Sequence, residues 1–245
     1  MRRRNLFLAL TLAIFFATSF TDLKAQIQST TGGGAWNDTL TWVGWKIPGA
    51  SDDVLINGPV DVTGAECKNL QVQPTGILQN RSYTNYTLRV HGSITNNGVI
   101  RNYPDRHNLY LTVDGDIFNN GEWSNSYTYL TGSSDQNLGF THEFSGYRLE
   151  DADPESAMIA STDLTFKGTK IDLKGGTLAL SQGGKLYING EWLYNGNIVG
   201  NGSEIYLLNN AFLERVTVDN VSVKGVINVF SSVAMEEESV IDLNQ

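Results

Sequence analysis

A thirteen-residue phrase occurs three times in this chain and constrains the fold more than any other feature of the sequence. The copies read LRVHGSITNNGVI at 88–100, LTVDGDIFNNGEW at 111–123 and LYINGEWLYNGNI at 186–198. The second copy begins 23 residues after the first, and the third begins 75 residues after the second, close to three further periods. A repeat of this length is typical of a solenoid, in which each unit buries its apolar face against its neighbours.

The rest of the chain has almost no helical periodicity and consists of short β-rich stretches. Their alternation of apolar and polar residues, with Gly and Asn between them, is typical of strands joined by tight turns. Within the copies, the apolar positions predict one buried side: Leu88, Val90 and Ile94; Leu111, Val113 and Ile117; Leu186, Ile188 and Trp192. We therefore expect an all-β chain folded as a right-handed parallel β-helix, a β-solenoid of about eight coils with roughly 23 residues each.

Asparagine pairs stand before the second glycine of the first two copies, as Asn96-Asn97 and Asn119-Asn120. Stacked in register on neighbouring coils, such side chains can form ladders of amide hydrogen bonds. The glycines interrupt the alternation where each coil must bend. Both residue types are thus expected to build the coil rather than to bind a ligand.

Residues 1–25 have the pattern of a secretory signal peptide. A basic start, Arg2 to Arg4, precedes an apolar run from Leu6 to Phe20 and a cleavage site after Ala25. The apolar run is shorter than the ~20 residues that a membrane-spanning helix needs. We expect a secreted or cell-surface protein that has no membrane span once the signal is removed.

The charge of the chain narrows the class of partner. Cleavage after Ala25 would remove four basic residues and one acidic residue, and so change the net charge from −9 to −12. Binding to nucleic acid or to anionic membranes needs clustered Lys and Arg. An acidic chain without such a cluster is not expected to bind nucleic acid.

Two stretches of the mature chain depart from the repeat. The first is a Trp- and Gly-rich opening module, residues 26–65, which is expected to cap the β-helix. The second is a polar interruption at 132–156, within the β-helix of residues 66–245. The interruption is either a loop that emerges from one face, as insertions in solenoids do, or a divergent coil. The chain ends within β-pattern at VIDLNQ, so we expect that it is truncated there and continues in further modules, or that a partner covers its last coil.

The opening module carries a resemblance to known proteins through Trp36, Trp42, Gly44, Pro48, Asp53, Val54 and Ile56. This stretch resembles the opening of the eight-glycine extracellular domain family and of related secreted bacterial β-helix proteins. The later phrase KLYINGEWLYNGNI is similar to coils of large exported surface proteins of Bacteroidetes-type bacteria. The resemblance implies a pectin lyase-like parallel β-helix at the cell surface. It leaves the activity broad, because such relatives include both glycan-processing and adhesive proteins.

Tyrosines are the first candidate binding residues. Aromatic rings that point outward on neighbouring coils can stack on sugar faces, whereas rings that point inward would form core ladders only. Alternation places Tyr110, Tyr187 and Tyr206 on the polar side, and Tyr127 and Tyr129 lie in the tyrosine-rich stretch 83–129. These five are the predicted glycan-binding residues.

Carboxylates are the second candidates, since two or three acids can carry out polysaccharide cleavage. The candidate acid cluster consists of Asp114 and Asp116 in the second copy, with Glu150, Asp151, Asp153 and Glu155 in the interruption. No histidine has metal-ligand spacing and no nucleophile motif stands out, so neither a catalytic residue nor a metal ligand is predicted. We expect no cofactor. Calcium is the one ion that the sequence EDADPE could hold, although a solvated acidic loop explains these residues as well.

The sequence therefore predicts an exported, non-catalytic adhesion or glycan-binding module whose partner is an extracellular glycan or a surface protein. Two alternatives stay open. One is a polysaccharide-active enzyme, either a lyase or a glycoside hydrolase, or the N-terminal fragment of one, using acids such as Asp114, Asp116 or Asp153. The other is a structural spacer within a larger surface protein.

Overall fold

The computed structural model describes residues 26–81, 83–104, 107–225, 228–229, 233–235 and 239–242. The predicted signal peptide, residues 1–25, lies outside the described residues. The chain is a parallel β-solenoid of about eight turns, with successive turns about 21 residues apart and almost no helix. The predicted parallel β-helix is thus confirmed, with turns slightly shorter than the first two copies of the phrase indicate. Within the part of the chain that is described, no helix is long and apolar enough to cross a membrane.

The solenoid has three faces, which we call A, B and C. Each turn adds one segment to each face, and the chain passes through the faces in the order A, C, B. Strands are numbered along the chain, and every pairing between them in the described residues is parallel. Face A contains β1 (Ile27–Gln28), β3 (Val54–Ile56), β6 (Leu70–Val72), β9 (Ile94–Asn96), β12 (Ile117–Asn119), β15 (Gln136–Phe140), β17 (Ala157–Ala160), β20 (Thr177–Leu180) and β25 (Val233–Met235). Face B contains β5 (Ala65–Cys67), β8 (Tyr86–Val90), β11 (Leu109–Val113), β14 (Tyr127–Leu130), β16 (Arg148–Asp151), β19 (Lys170–Asp172) and β24 (Asn228–Val229). Face C contains β2 (Gly34–Ala35), β4 (Pro59–Val62), β7 (Ile77–Asn80), β10 (Val99–Arg101), β13 (Glu122–Ser124), β18 (Leu164–Lys167), β21 (Lys185–Asn189) and β26 (Val240–Asp242).

Two long strands, β22 (Trp192–Leu208) and β23 (Phe212–Gly225), run through all three faces, although their pairing skips Asn195 and shifts register between Val199 and Ser203. They still turn corners, because single residues within them adopt left-handed backbone. Asn195 has φ of 61° and Asn220 has φ of 52°. Asparagine tolerates this conformation better than most residues, so these positions bend the chain without a glycine.

Inward side chains of successive turns form mostly apolar columns that fill the interior. On face B, Leu88, Leu111, Thr128, Leu149, Ile171, Leu193 and Leu213 follow one another in strand register. On face C, the column that contains Ile100 continues through Trp123, Phe144 and Phe166 to Ile188. All of these side chains are buried. Each large apolar side chain removed from water contributes roughly 1.5–3 kcal/mol, so the columns are the main stabilising element.

The asparagine ladder predicted from the first two copies is confirmed. Asn96 donates from Nδ2 to Oδ1 of Asn119 over 2.8 Å, and both side chains are fully buried at the turn from face A to face C. The Oδ1 atom of Asn96 accepts the backbone N–H of Gly98, and that of Asn119 accepts the N–H of Gly121. The ladder therefore satisfies turn backbone groups that would otherwise be buried without a partner.

The glycine after each asparagine pair is needed for close approach rather than for a left-handed backbone. A Cβ atom on Gly121 would lie 2.2 Å from the carbonyl oxygen of Gly98 on the preceding turn. No side chain fits at that distance, so the turns can stack at this corner only with glycine.

The third copy of the phrase lies on different faces from the first two, which corrects the prediction of three further periods. The first two copies run from face B through face A to face C, whereas the copy at 186–198 runs from face C through face B to face A. Its first bend differs as well, because Gly190 has φ of 89°. As a result Leu193 enters the core column, and Trp192, which the pattern placed inside, is only half-buried and points outward.

The polar interruption of the sequence repeat does not interrupt the solenoid. Residues 132–156 contain β15 on face A and β16 on face B, with Phe144 bridging Trp123 and Phe166 on face C. Of the two interpretations left open, the divergent coil is the one that the structure has.

The opening module, residues 26–65, contains the first turn of the solenoid as well as the residues that cover it. Strands β3 and β4 of this module pair with β6 and β7, and β1 and β2 add one more strand to faces A and C. A short 3₁₀ turn at Thr39–Thr41 leads to Trp42, whose indole N–H donates to the carbonyl oxygen of Trp36 over 2.8 Å. The two buried indole rings lie 5.0 Å apart. They close the N-terminal end of the core.

Candidate functional site

The five tyrosines predicted to bind glycans lie on two faces of the solenoid. Tyr110 in β11 and Tyr127 and Tyr129 in β14 belong to face B, whereas Tyr187 in β21 and Tyr206 in β22 belong to face C. All five are half-buried and point outward, because the residues between them in each strand fill the core columns. The structure therefore separates the predicted set into two aromatic surfaces.

On face B, the tyrosines stack on one another along the solenoid axis. Tyr110 and Tyr127 are opposite each other on adjacent strands, with ring centres 4.9 Å apart and planes within 7°. Tyr147, which precedes β16, is 47% exposed and meets Tyr127 edge to face. Because Tyr110 and Tyr127 cover each other's faces, they present ring edges and hydroxyls to solvent, and Tyr147 is the exposed ring beside them.

The outward row continues from these tyrosines across four more turns. Arg148 stands opposite Tyr127, and Lys170 stands opposite Arg148. The row then becomes aromatic again at Trp192 and Phe212, whose ring centres are 5.0 Å apart. We call this set the face B row: Tyr110, Tyr127, Arg148, Lys170, Trp192 and Phe212. It spans six strands, or about 24 Å at the usual strand spacing.

A second outward row on face B carries charges. Arg148 contacts Asp172 over 2.6 Å and Glu150 over 2.8 Å, and Lys174 lies 3.5 Å from both carboxylates. The Asp172 side chain is only 3% exposed, so it is desolvated and held by these cations. This network fixes Arg148 between the two aromatic ends of the face B row.

Two phenols flank the charge network, Tyr129 on one side and Tyr194 on the other. Burial raises the pKa of Tyr129, and the nearby Glu150 raises it further. Burial also raises the pKa of Tyr194, reinforced by Asp172. Both residues therefore keep their hydroxyl proton at neutral pH and can act as hydrogen-bond donors.

Near the C-terminal end of the row, face B is concave. A notch of about 260 Å³ is lined by Lys170, Trp192, Tyr194, Glu214 and Arg215. It combines an indole ring with cationic, anionic and hydroxyl groups. Such a combination of a few polar groups around an aromatic wall is typical of small-ligand sites.

The tyrosines of face C form a separate stack. Tyr187 and Tyr206 lie 4.8 Å apart with planes within 15°. The Lys224 ammonium lies over the Tyr206 ring, 5.4 Å from its centre, and ion-pairs with Glu204. Tyr206 donates its hydroxyl to Glu204 over 2.7 Å, and this hydrogen bond to the carboxylate raises the pKa of the phenol.

The acids of the second copy, Asp114 and Asp116, follow β11 and bind groups of neighbouring turns. Asp114 accepts from Thr131 Oγ1 over 2.6 Å, ion-pairs with Arg89 over 3.2 Å and lies 3.4 Å from His91. Although partial burial alone would raise the pKa of Asp114, the bonds from Thr131 and Arg89 hold it below its usual value. Asp116 accepts the backbone N–H of Asn137 over 2.7 Å. Both carboxylates tie one turn to the next.

The acids of the interruption point in different directions. Glu150 faces outward on face B, Glu155 is exposed, and Asp151 is 2% exposed and points into the interior. Asp151 Oδ1 accepts the backbone N–H of Asp153, whereas Oδ2 is buried without a hydrogen-bond partner. Among the described residues, no group of three His, Cys, Asp or Glu side chains is placed to hold a metal ion. The candidate acid cluster is therefore dispersed, and the residues of EDADPE do not converge on a calcium site.

The sequence does not mark Arg148 and Trp192 of the face B row, or Tyr147 and Tyr194 beside it, as surface residues. Tyr147 and Arg148 lie within the interruption, where no repeat indicates which residues point outward. The alternation predicts Trp192 in the core, and Tyr194 occupies the phrase position of the buried Asn96. In each case the sequence does not show which residues of the coil point outward, and only the strand pairings reveal this.

The fold and these surfaces define a parallel β-solenoid with aromatic and charged rows on its outer faces. Comparisons with protein-family models, with curated proteins and with solved structures gave no match. The resemblance to the eight-glycine extracellular domain family thus rests on the residues of the opening module alone.

Proposed function

We propose that this protein is an extracellular, non-catalytic carbohydrate-binding module that holds an extended polysaccharide along face B. The observation that carries the proposal is the face B row, which presents aromatic side chains at both ends of a run of six strands. The signal-peptide pattern of residues 1–25 and the resemblance of the opening module to secreted bacterial proteins support the extracellular location.

Exposed aromatic side chains on a strand surface call for a reason, because their burial would stabilise the fold. On face B the interior is already filled by smaller residues such as Leu111 and Leu149. The tyrosines and Trp192 therefore add contact surface without contributing to the core. Aromatic residues with a polar tip supply large, rigid contact area at low entropic cost, which suits a binding surface.

The arrangement fits a polymer that lies parallel to the solenoid axis. Tyr147 adds an exposed aromatic ring beside Arg148 in the third strand of the row, and the half-buried Trp192 lies two strands further along. The ion-paired Arg148 offers hydrogen-bond donors in a fixed position next to these rings. Sugar rings combine apolar C–H faces with hydroxyl groups, so they match alternating aromatic and hydrogen-bonding positions. The partner is then an extracellular glycan, either free or on a cell surface.

A polysaccharide-active enzyme is the second candidate, and one observation favours it. Glu150 and Asp172 lie on adjacent strands of the same face as the aromatic residues. Glycoside cleavage requires two carboxyl groups that act on opposite sides of the scissile bond. Both carboxylates are engaged by Arg148, so neither can serve a leaving group without breaking that ion pair. We therefore propose carbohydrate binding, rather than catalysis, as the function of this face.

The first test is binding to a panel of neutral and acidic polysaccharides, including xylan, mannan, β-glucan, polygalacturonate and alginate, by affinity electrophoresis. The double variant Tyr147→Ala/Trp192→Ala should bind its best polysaccharide about five- to 150-fold more weakly, since each aromatic contact contributes about 0.5–1.5 kcal/mol. Phe118→Ala is the matched control, because Phe118 is an exposed aromatic residue on face A.

The outcomes separate the candidates. Equal binding by the double variant and the wild type would remove face B from the proposal. Release of reducing ends from the same polysaccharides, abolished by Glu150→Gln or Asp172→Asn, would favour the enzyme. Absence of binding to every polysaccharide would favour a structural spacer.

A further inference from the structure

A notch on face C lies outside the face B surface and has a different construction. It is an open depression of about 580 Å³, lined by Thr141, His142, Glu143, Asp163, Thr165 and Tyr187, with Phe140 beneath. None of these residues except Tyr187 was identified from the sequence. Because the notch is on another face, its ligand is independent of a polymer bound along face B.

The notch exists because a small residue interrupts an outward column. Along face C, Tyr187 is opposite Tyr206 on one side and opposite Thr165 on the other. The bridge between Phe144 and Phe166 places Glu143 next beyond Thr165 in the same column. Threonine fills much less space than tyrosine, so a gap remains between the Tyr187 ring and the Glu143 side chain. The strands that carry these two residues are two spacings apart, roughly 9.6 Å.

The geometry of the tyrosine stack turns one flat ring face toward this gap. Tyr206 covers one face of Tyr187 at 4.8 Å with nearly parallel planes. The opposite face of Tyr187 must therefore look across Thr165 into the notch. An aromatic face that is presented to a cavity of this size is a platform for the C–H face of a sugar ring.

Polar groups surround the platform on the other sides. Asp163 is held at the rim because its Oδ1 atom accepts the backbone N–H of Lys185 over 2.9 Å. Glu143 is held by Lys167, whose Nζ atom lies 2.9 Å from its carboxylate. His142 is exposed beside them. Carboxylates accept hydrogen bonds from hydroxyl groups, and an imidazole nitrogen can accept or donate.

The charge of the rim selects among sugars. Two carboxylates, Glu143 and Asp163, line the notch, and the nearby Lys167 is already paired with Glu143. A uronate or another anionic sugar would be repelled by this rim, whereas a neutral pyranose can donate its hydroxyls to both acids. The same rim is too dispersed to hold a metal ion among the described residues.

We propose that this notch is a saccharide subsite, which takes one neutral pyranose stacked on the outer face of Tyr187 and hydrogen-bonded to Asp163 and Glu143. It gives the protein a second carbohydrate contact, directed away from face B. A glycan bound there would be a short chain or a chain end, since the notch is closed along the column by Tyr187 and Glu143.

The test uses neutral oligosaccharides as probes, namely cellohexaose, xylohexaose and mannohexaose, with saturation-transfer NMR and isothermal titration calorimetry. Thr165→Tyr extends the tyrosine stack and fills the notch, so it should reduce binding of the preferred probe at least tenfold without lowering Tm. Tyr187→Ala removes the platform and should give a similar loss. Tyr206→Ala removes the other half of the stack and is expected to change affinity less than threefold.

One control variant keeps this result separate from that on face B. The Tyr147→Ala/Trp192→Ala variant should bind the probe at the notch like the wild type. The proposal is overturned if Thr165→Tyr binds the probe as tightly as the wild type, if no neutral probe binds, or if oligogalacturonate binds the notch more tightly than every neutral probe.

Discussion

Asp151 is the residue whose position is hardest to reconcile with a stable core. On face B it follows Cys67, Val90, Val113 and Leu130 in one inward column, and all four of its predecessors are apolar and buried. Burial raises the pKa of Asp151 to about 6, from an ordinary value of 3.8. Its Oδ2 atom has no hydrogen-bond partner. The carboxylate is therefore a local cost to stability once it is ionised.

The pH dependence of stability follows from this shift. The folded chain keeps the Asp151 proton up to pH about 6, whereas the unfolded chain releases it near pH 3.8. Stability is therefore lost as the pH rises between these values, and the penalty is fully present above pH 6. Asp151→Asn, which cannot ionise, should raise Tm relative to the wild type by about 2–8 °C at pH 7.5 and by less at pH 4.5. Differential scanning fluorimetry at the two pH values measures this, and a difference that does not change with pH would contradict it.

At the scale of the element, the turn between faces A and C contains two neighbouring asparagines, Asn119 and Asn120, in different environments. We expect the first to stabilise the turn and the second to be dispensable. Asn119 is fully buried and bonds to Asn96 and to the backbone of Gly121. Its neighbour Asn120 is exposed, although it donates to Asn97 over 3.0 Å. The two residues have the same chemistry and differ only in burial.

Substitution of this pair should separate these roles. Asn119→Ala leaves buried donors and acceptors unpaired, so we expect it to lower the free energy of unfolding by about 2–4 kcal/mol. Asn120→Ala removes only solvent-exposed bonds and should cost less than about 0.5 kcal/mol. Urea denaturation of both variants measures the difference, and similar losses would show that burial of the ladder is not what stabilises the turn.

The same elements show what a sequence of this type can and cannot predict. Alternation in Leu88 and Val90 and the spacing of two copies were enough to predict parallel strands in coils, because most inward positions of successive turns are apolar. The direction of Trp192 could not be predicted, since it depends on a left-handed bend at Gly190 that shifts the strand by one residue. The notch beside Tyr187 could not be predicted either, because it arises from Thr165, a residue of the adjacent turn.

At the scale of the whole molecule, each turn contacts mainly the turns before and after it. In such a chain the free energy of local opening depends on the nearest neighbours and on the ends. Trp36 and Trp42 close the N-terminal end, and both are buried. The opening module should therefore control the stability of the first turns more than that of the distant ones.

Hydrogen exchange can test this dependence on distance. Trp42→Ala removes a large buried side chain and should increase exchange in β1, β3 and β6, since loss of such a residue costs about 3–5 kcal/mol. Exchange in β17 and β20 should stay as in the wild type. Trp45→Ala is the control, because Trp45 lies in the same module and is 74% exposed. Uniform acceleration along the chain would indicate a single cooperative unit instead.

Because the third copy of the phrase lies on other faces than the first two, the same sequence pattern can build different sides of the solenoid. A strand, a bend and a second strand can be exchanged between sides of the solenoid, as long as the second position of the phrase stays outward. That position is Arg89 and Thr112 on face B, and Tyr187 on face C. The repeated unit is thus shorter than a full turn. When it begins on another face, the side chain at its second position points in another direction around the solenoid. The same phrase therefore presents chemically different side chains on two faces of the solenoid.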